Sequence, residues 1–65
     1  GSPRNRWRGT VAELDVLTDR VRVRIDGAAP VIAEITTAAA KDLDVQPGSE
    51  LWSVVKATDV KVYPA

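Results

Sequence analysis

The heptapeptide RVRVRID, Arg20 to Asp26, sets three arginines against three β-branched residues in strict alternation. Successive side chains of an extended strand point to opposite sides, so Val21, Val23 and Ile25 share one face while Arg20, Arg22 and Arg24 share the other. A helix would scatter the same six residues around its axis. The stretch therefore demands a sheet with one dry face and one wet face, and the rest of the chain must cover the dry one.

The pattern recurs downstream. PVIAEI puts Val31, Ala33 and Ile35 inward and Glu34 outward, and DVKVYP alternates Val60 and Val62 with Lys61 and Tyr63 before Pro64 ends the run. ELWSVVK is apolar on both faces, Leu51 and Val55 against Trp52 and Val54, which predicts a strand covered on both sides, the second cover being another subunit. In WRGTVAELDVL, Trp7, Gly9 and Val11 share one parity, whereas Leu14 and Val16 share the other. A parity switch inside one strand predicts a β-bulge, the device by which small barrels bend their strands. Turn pairs separate the strands at Thr18-Asp19, Asp26-Gly27 and Pro47-Gly48, the last placed as the central pair of a type II turn. The one helical stretch is TTAAAKDLDV, capped by Thr36 or Thr37 and running through Ala38, Ala39 and Ala40 to about Leu43. Three strands, a short helix and two more strands predict an all-β fold: a small five-stranded OB-like barrel with the helix between strands 3 and 4.

A chain of 65 residues has little core to spend on stability. Domains this small bury only ~60% of the surface they expose unfolded, and they lean on disulfides, a metal or a partner subunit. The sequence has no cysteine and no histidine, which removes disulfides and the commonest zinc sites and leaves self-association. Nine basic residues balance nine acidic ones, against the excess of cations that a general nucleic-acid binder needs. No apolar run approaches the ~18 residues of a membrane span, and no signal-peptide pattern is present. The opening Gly1-Ser2 reads as the scar of a cleaved tag, and residues 2–64 as a single domain.

Catalysis finds little to work with. Without His or Cys the usual general base and thiol nucleophile are missing, and no glycine-rich phosphate loop occurs. Glu13 and Asp15 read as surface charge beside an arginine, and Asp42 and Asp44 as charges flanking a helix end. The arginine stripe contains no aromatic on which a base could stack, so it predicts cross-strand pairing with carboxylates such as Glu34. The chain is not expected to be an enzyme or to bind nucleic acid.

Two segments remain, SPRNRW before the first strand and VKATD between the last two. Arg4 offers a planar fork of donors, Lys56 an ammonium, and Asn5 and Thr58 an amide and a hydroxyl. Donors without a matching acid suit a bound anion, and Thr36 adds a hydroxyl beside free backbone N–H groups. Lys56 also ends an apolar run that reads as buried strand, and a buried ammonium needs a partner. The same two cations read equally well as ordinary charges at a rim.

SPRNRWRGTV and AEITTAAAKDLDVQPGSELWSVVKATDVKV, with the distance between them, resemble the Mop or TOBE domain, a molybdate-binding OB-like module. The resemblance runs from about Ser2 to Tyr63. Its most specific parts are a Ser-x-Arg-Asn opening, an Ala-x-Ile-Thr…Leu…Pro-Gly middle and a Val-Lys-Ala-Thr ending, in that order. It implies a barrel that pairs with copies of itself, as a homodimer or higher oligomer, and holds molybdate or tungstate at a domain–domain interface with no further cofactor. The family's ligand positions fall on Ser2, Arg4 and Asn5, on Thr36, and on Lys56, Ala57 and Thr58, Ala57 through its backbone N–H alone. Lys56 would then face a tetrahedral dianion. Where the family often carries a serine in the first helical turn, this chain has Ala39. Members include the regulatory C-terminal domain of molybdate ABC importer ATPase subunits, cytoplasmic at the inner membrane face, free-standing molybdate-storage molbindins, and the effector domains of molybdate-responsive regulators. The importer domain is the expected setting; storage, or a dimerisation module without a ligand, is the alternative.

Overall fold

The alternation in RVRVRID becomes the spine of the core. In the computed structural model, which describes residues 5–56 and 59–65, this segment is strand β2 (Arg20–Gly27). Val21, Val23 and Ile25 are buried and the three arginines exposed. Around it the chain folds as β1 (Arg6–Val16), β3 (Val31–Thr36), helix α1 (Thr37–Leu43), β4 (Glu50–Lys56) and β5 (Asp59–Pro64). All pairings are antiparallel, in the order β3-β2-β1-β4-β5. The outer strands β3 and β5 meet without pairing, so the sheet curls into a nearly closed five-stranded barrel with the helix between β3 and β4, as expected.

Five side chains form the dry centre: Val11, Val21, Val23, Ile25 and Leu51, with Leu14, Ile35, Ala40, Val45 and Val62 packed against them. Each fully buried Val, Leu or Ile contributes about 1.5–3 kcal/mol from lost water contact. The parity switch in β1 is a bulge: Val11 pairs with Ile25, Ala12 is passed over, and Glu13 pairs with Arg24. Leu14 thereby returns to the core side. Val16 shares that side, but it ends the β1–β2 ladder opposite Val21 and is 78% exposed. At the bulge β1 also leaves β4. The Val11 N–H donates to Ser49 O at 2.8 Å, and the Gly48 N–H donates to Val11 O at 2.8 Å.

The Pro47-Gly48 turn forms as expected: Ser49 N–H donates to Gln46 O at 2.9 Å, and Gly48 has the φ of 95° that a type II turn requires at its third position. The Asp26-Gly27 turn does not. Strand β2 continues through Gly27, which pairs with Gly9, and the chain reverses over residues 28–30. The glycine serves close approach instead: a Cβ on Gly27 would lie 2.8 Å from Arg8 O.

Thr36 is the N-cap of α1, its Oγ accepting the Ala39 N–H at 3.0 Å. At the other end Asp44 adopts φ 51°, and the N–H groups of Asp44 and Val45 return to Lys41 O and Ala40 O. On β4, Leu51 and Ser53 are buried, and Trp52 and Val54 lie half-buried on the outer side. Part of the outer cover comes from the same chain, because the Arg6 guanidinium stacks over the Trp52 ring at 4.7 Å. Among the described residues no helix is long and apolar enough to cross a membrane.

Candidate functional site

The barrel's outer wall over β1, β2 and β3 is charged but internally matched. Glu34 accepts from Arg20 Nη1 at 3.0 Å through one oxygen and from Arg22 Nη2 at 3.0 Å through the other. These hydrogen bonds, Arg22's first, hold the Glu34 carboxyl below its ordinary range, and the Glu34 and Asp19 carboxylates raise the Arg20 guanidinium. Arg24 lies 3.4 Å from Glu13. The stripe is thus occupied by carboxylates, as the cross-strand reading expected, and solvent screening keeps such exposed pairs weak. No cluster of three or more potential metal-ligating side chains occurs among the described residues.

Of the residues that the sequence singled out for an anion, Ser2, Arg4, Ala57 and Thr58 lie outside the described residues. Asn5 is exposed and immediately precedes β1. The register Arg6↔Val54 carries it toward the Val55–Lys56 end of β4. Asn5 and Lys56 therefore share one end of the barrel. Lys56 itself is exposed, which corrects the expectation of a buried ammonium. Val54 and Val55 ahead of it are only half-buried, because β4 and β5 extend past the core at this end.

Thr36 stands elsewhere. The strand order makes β3 and β5 run in the same direction across their unpaired seam. Asp59 and Val60 flank Ile32 to Glu34, while Thr36 lies further along, in a cleft shared with Val62 and Tyr63. Lys56 pairs with Asp59 and so belongs to the first end of the seam. About three residues of strand, ~10 Å at ~3.3 Å per residue, separate its level from that of Thr36.

The cleft between α1, β3 and β5 measures about 290 Å³. Thr36, Ala39 and Leu43 form one wall, and Val60 to Tyr63 the other. Sequence reasoning placed Lys61 and Tyr63 only as outward residues of the last strand. Nothing local marks them as neighbours of the helix, since the two walls meet only when the barrel closes. Ala39, where the family often has a serine, lies on this cleft.

A family model described as the TOBE domain matches residues 1–62 of the chain. The molybdenum import ATP-binding protein ModC of Mycobacterium tuberculosis is 48% identical over 69 residues, covering 100% of this chain and 19% of that protein. The chain thus spans about a fifth of the length of this relative. Molybdenum-pterin-binding proteins 1 and 2 of Clostridium pasteurianum are 35% and 36% identical over 63 residues, covering 94% of the chain and 93% of each relative. Among solved structures no match is found.

Proposed function

The chain belongs to the TOBE-domain family, and from that premise we propose that it binds a tetrahedral oxyanion, molybdate or tungstate, between two copies of itself. The observation that carries this reading is the division of the candidate donors. Asn5 and Lys56 stand at one end of the barrel and Thr36 further along the β3–β5 seam, so one chain presents two partial sets. A second copy laid across the first brings the Lys56 end of one against the Thr36 end of the other. An exposed Lys56 fits that arrangement, because its desolvation then accompanies anion binding and is offset by the dianion's charge and hydrogen bonds.

The module acts by binding and not by catalysis. Its setting is the regulatory domain of a molybdate importer's ATPase subunit, working at the cytoplasmic face of the membrane, which the 48% identity to an import ATP-binding protein supports. Occupancy reports molybdate supply if it changes how tightly or in what geometry the domains pair, since a bound anion and a dimer contact are linked reciprocally. Storage in a free-standing protein is the second reading, favoured by the 93% coverage of the clostridial relatives.

The deciding test is a calorimetric titration with molybdate, sulfate as control, alongside sedimentation of the protein with and without the anion. Binding of molybdate that shifts the protein toward dimer, and is lost in Lys56→Ala, is the expected result. Lys56→Ala that binds as the parent does would refute the site, and anion-independent dimerisation without heat would leave a pairing module with no ligand.

A further inference from the structure

Lys56, the cation on which the oxyanion reading turns, has an acid for its cross-strand partner. Lys56 and Asp59 end the β4–β5 ladder as an opposed pair. Opposed residues of an antiparallel ladder share a face, with Cβ atoms about 4.5–5.5 Å apart. Both are exposed, so that face is the outer one. The outward residues of β1, β4 and β5 include one other acid, Glu50, which stands at the opposite end of β4 and accepts from Arg8 Nε at 2.9 Å. Across the seam, Glu34 has both oxygens committed, Oε1 to Arg20 and Oε2 to Arg22. Asp59 enters none of the ion pairs among the described residues. It is thus the carboxylate nearest in register to Lys56, and it follows Thr58, another implied ligand, directly in the chain.

Resting on the oxyanion reading above, we propose that Asp59 is the affinity-limiting acid of the site, competing with the anion for Lys56 and repelling it in proportion to its charge. Among the ligand positions implied by the family, Arg4 and Lys56 carry the two positive charges, which already match the two negative charges of molybdate. Asp59 adds a further negative charge beside that balanced set. An anion in contact with the Lys56 ammonium lies within about a side chain's length of the Asp59 carboxylate, inside the ~8 Å over which salt leaves charges coupled. Repulsion from one fixed carboxylate doubles between a singly and a doubly charged anion of similar shape. Asp59 therefore narrows the advantage that the cations give a dianion. It also keeps the site reversible, because occupancy follows supply only at concentrations near the dissociation constant.

Titration of the parent, Asp59→Asn, Asp59→Ser, Asp59→Glu and Asp26→Asn with molybdate and with singly charged perrhenate tests this, with circular dichroism confirming the fold of each. The two neutral variants at Asp59 are expected to tighten molybdate binding by about 3- to 10-fold, the size of a screened repulsion between neighbouring charges. The gain for perrhenate should be about the square root of that, roughly 2- to 3-fold, because it carries half the charge. Asp59→Glu should bind as the parent does. Asp26→Asn, which removes the same charge from an exposed position opposite Thr10, should also match the parent. A folded neutral variant at Asp59 that binds molybdate no tighter than the parent, or gains equally for both anions, overturns the role of Asp59 and leaves the Lys56 site standing. A parent that binds no molybdate overturns both.

Discussion

Gly9 is where the close approach of β1 to β2 can be tested by adding one methyl group. A Cβ built there lies 2.5 Å from Ile25 Cγ2 and 2.6 Å from Asp26 O. The side-chain contact could yield by a rotamer change, at the expense of a buried core residue. The carbonyl cannot yield without moving the ladder of β2. Overpacking of this kind costs about 1–3 kcal/mol, against a gain of about 0.5–1 kcal/mol from stiffening the unfolded chain. The backbone clash puts Gly9→Ala at the upper end, near ~2 kcal/mol net. For a domain of this size each kcal/mol moves the melting temperature by about 4–8 °C, so thermal unfolding followed by circular dichroism should show a drop of roughly 8–16 °C. Gly48→Ala is the internal comparison: nothing lies within 4 Å of its Cβ, but its φ of 95° disfavours any side chain. It should cost only the conformational strain, about 1 kcal/mol. A Gly9→Ala protein that melts within about 3 °C of the parent, or above Gly48→Ala, refutes the close-approach argument.

Two further substitutions probe the interior and the charged wall. Ser53 is 1% exposed and its Oγ has no hydrogen-bond partner among the described residues, a condition that costs about 1–3 kcal/mol. Ser53→Ala should therefore leave the urea midpoint unchanged or raise it, and a loss of 1 kcal/mol or more would mean that the hydroxyl is satisfied in solution. The second concerns acid. Because Arg22 and Arg20 lower the folded-state Glu34 value, its contribution is fully present above the ordinary value of 4.5 and lost as pH falls through the lower folded one. Urea midpoints at a series of pH values should fall more steeply below about pH 4.5 in the parent than in Glu34→Gln, and parallel profiles would contradict the pairing.

What the sequence disclosed followed from local rules. Alternation located Val21, Val23 and Ile25, the parity change between Val11 and Leu14 located the bulge, and Pro47-Gly48 and Thr36 marked a turn and a cap, because each signal is written within a few neighbouring residues. What it withheld depended on elements meeting. Gly27 looks like a turn residue beside Asp26 until β1 is seen to need its missing side chain. Lys56 looks buried because the apolar run before it continues to the last residue, yet the hairpin outruns the core. Lys61 and Tyr63 acquire a helix for a neighbour only through closure of the β3–β5 seam. The candidate site was legible as a set of donors, and its division along the barrel was not.

The order of the strands also sets a sequence of events. β1, β2 and β3 form a meander of neighbours, and β4 with β5 forms a hairpin, so each piece can assemble from contacts close along the chain. They are hydrogen-bonded together through Arg6 to Thr10 against Glu50 to Val54, residues some forty apart, as in the Arg8–Glu50 ion pair with its separation of 42. Loop closure over that distance costs more entropy than closing the meander or the hairpin, so this ladder is expected to form last and to open first. Asn5, immediately before β1, and Lys56, at the end of β4, stand at one end of that ladder. An anion held there would keep shut the joint that the chain itself closes last.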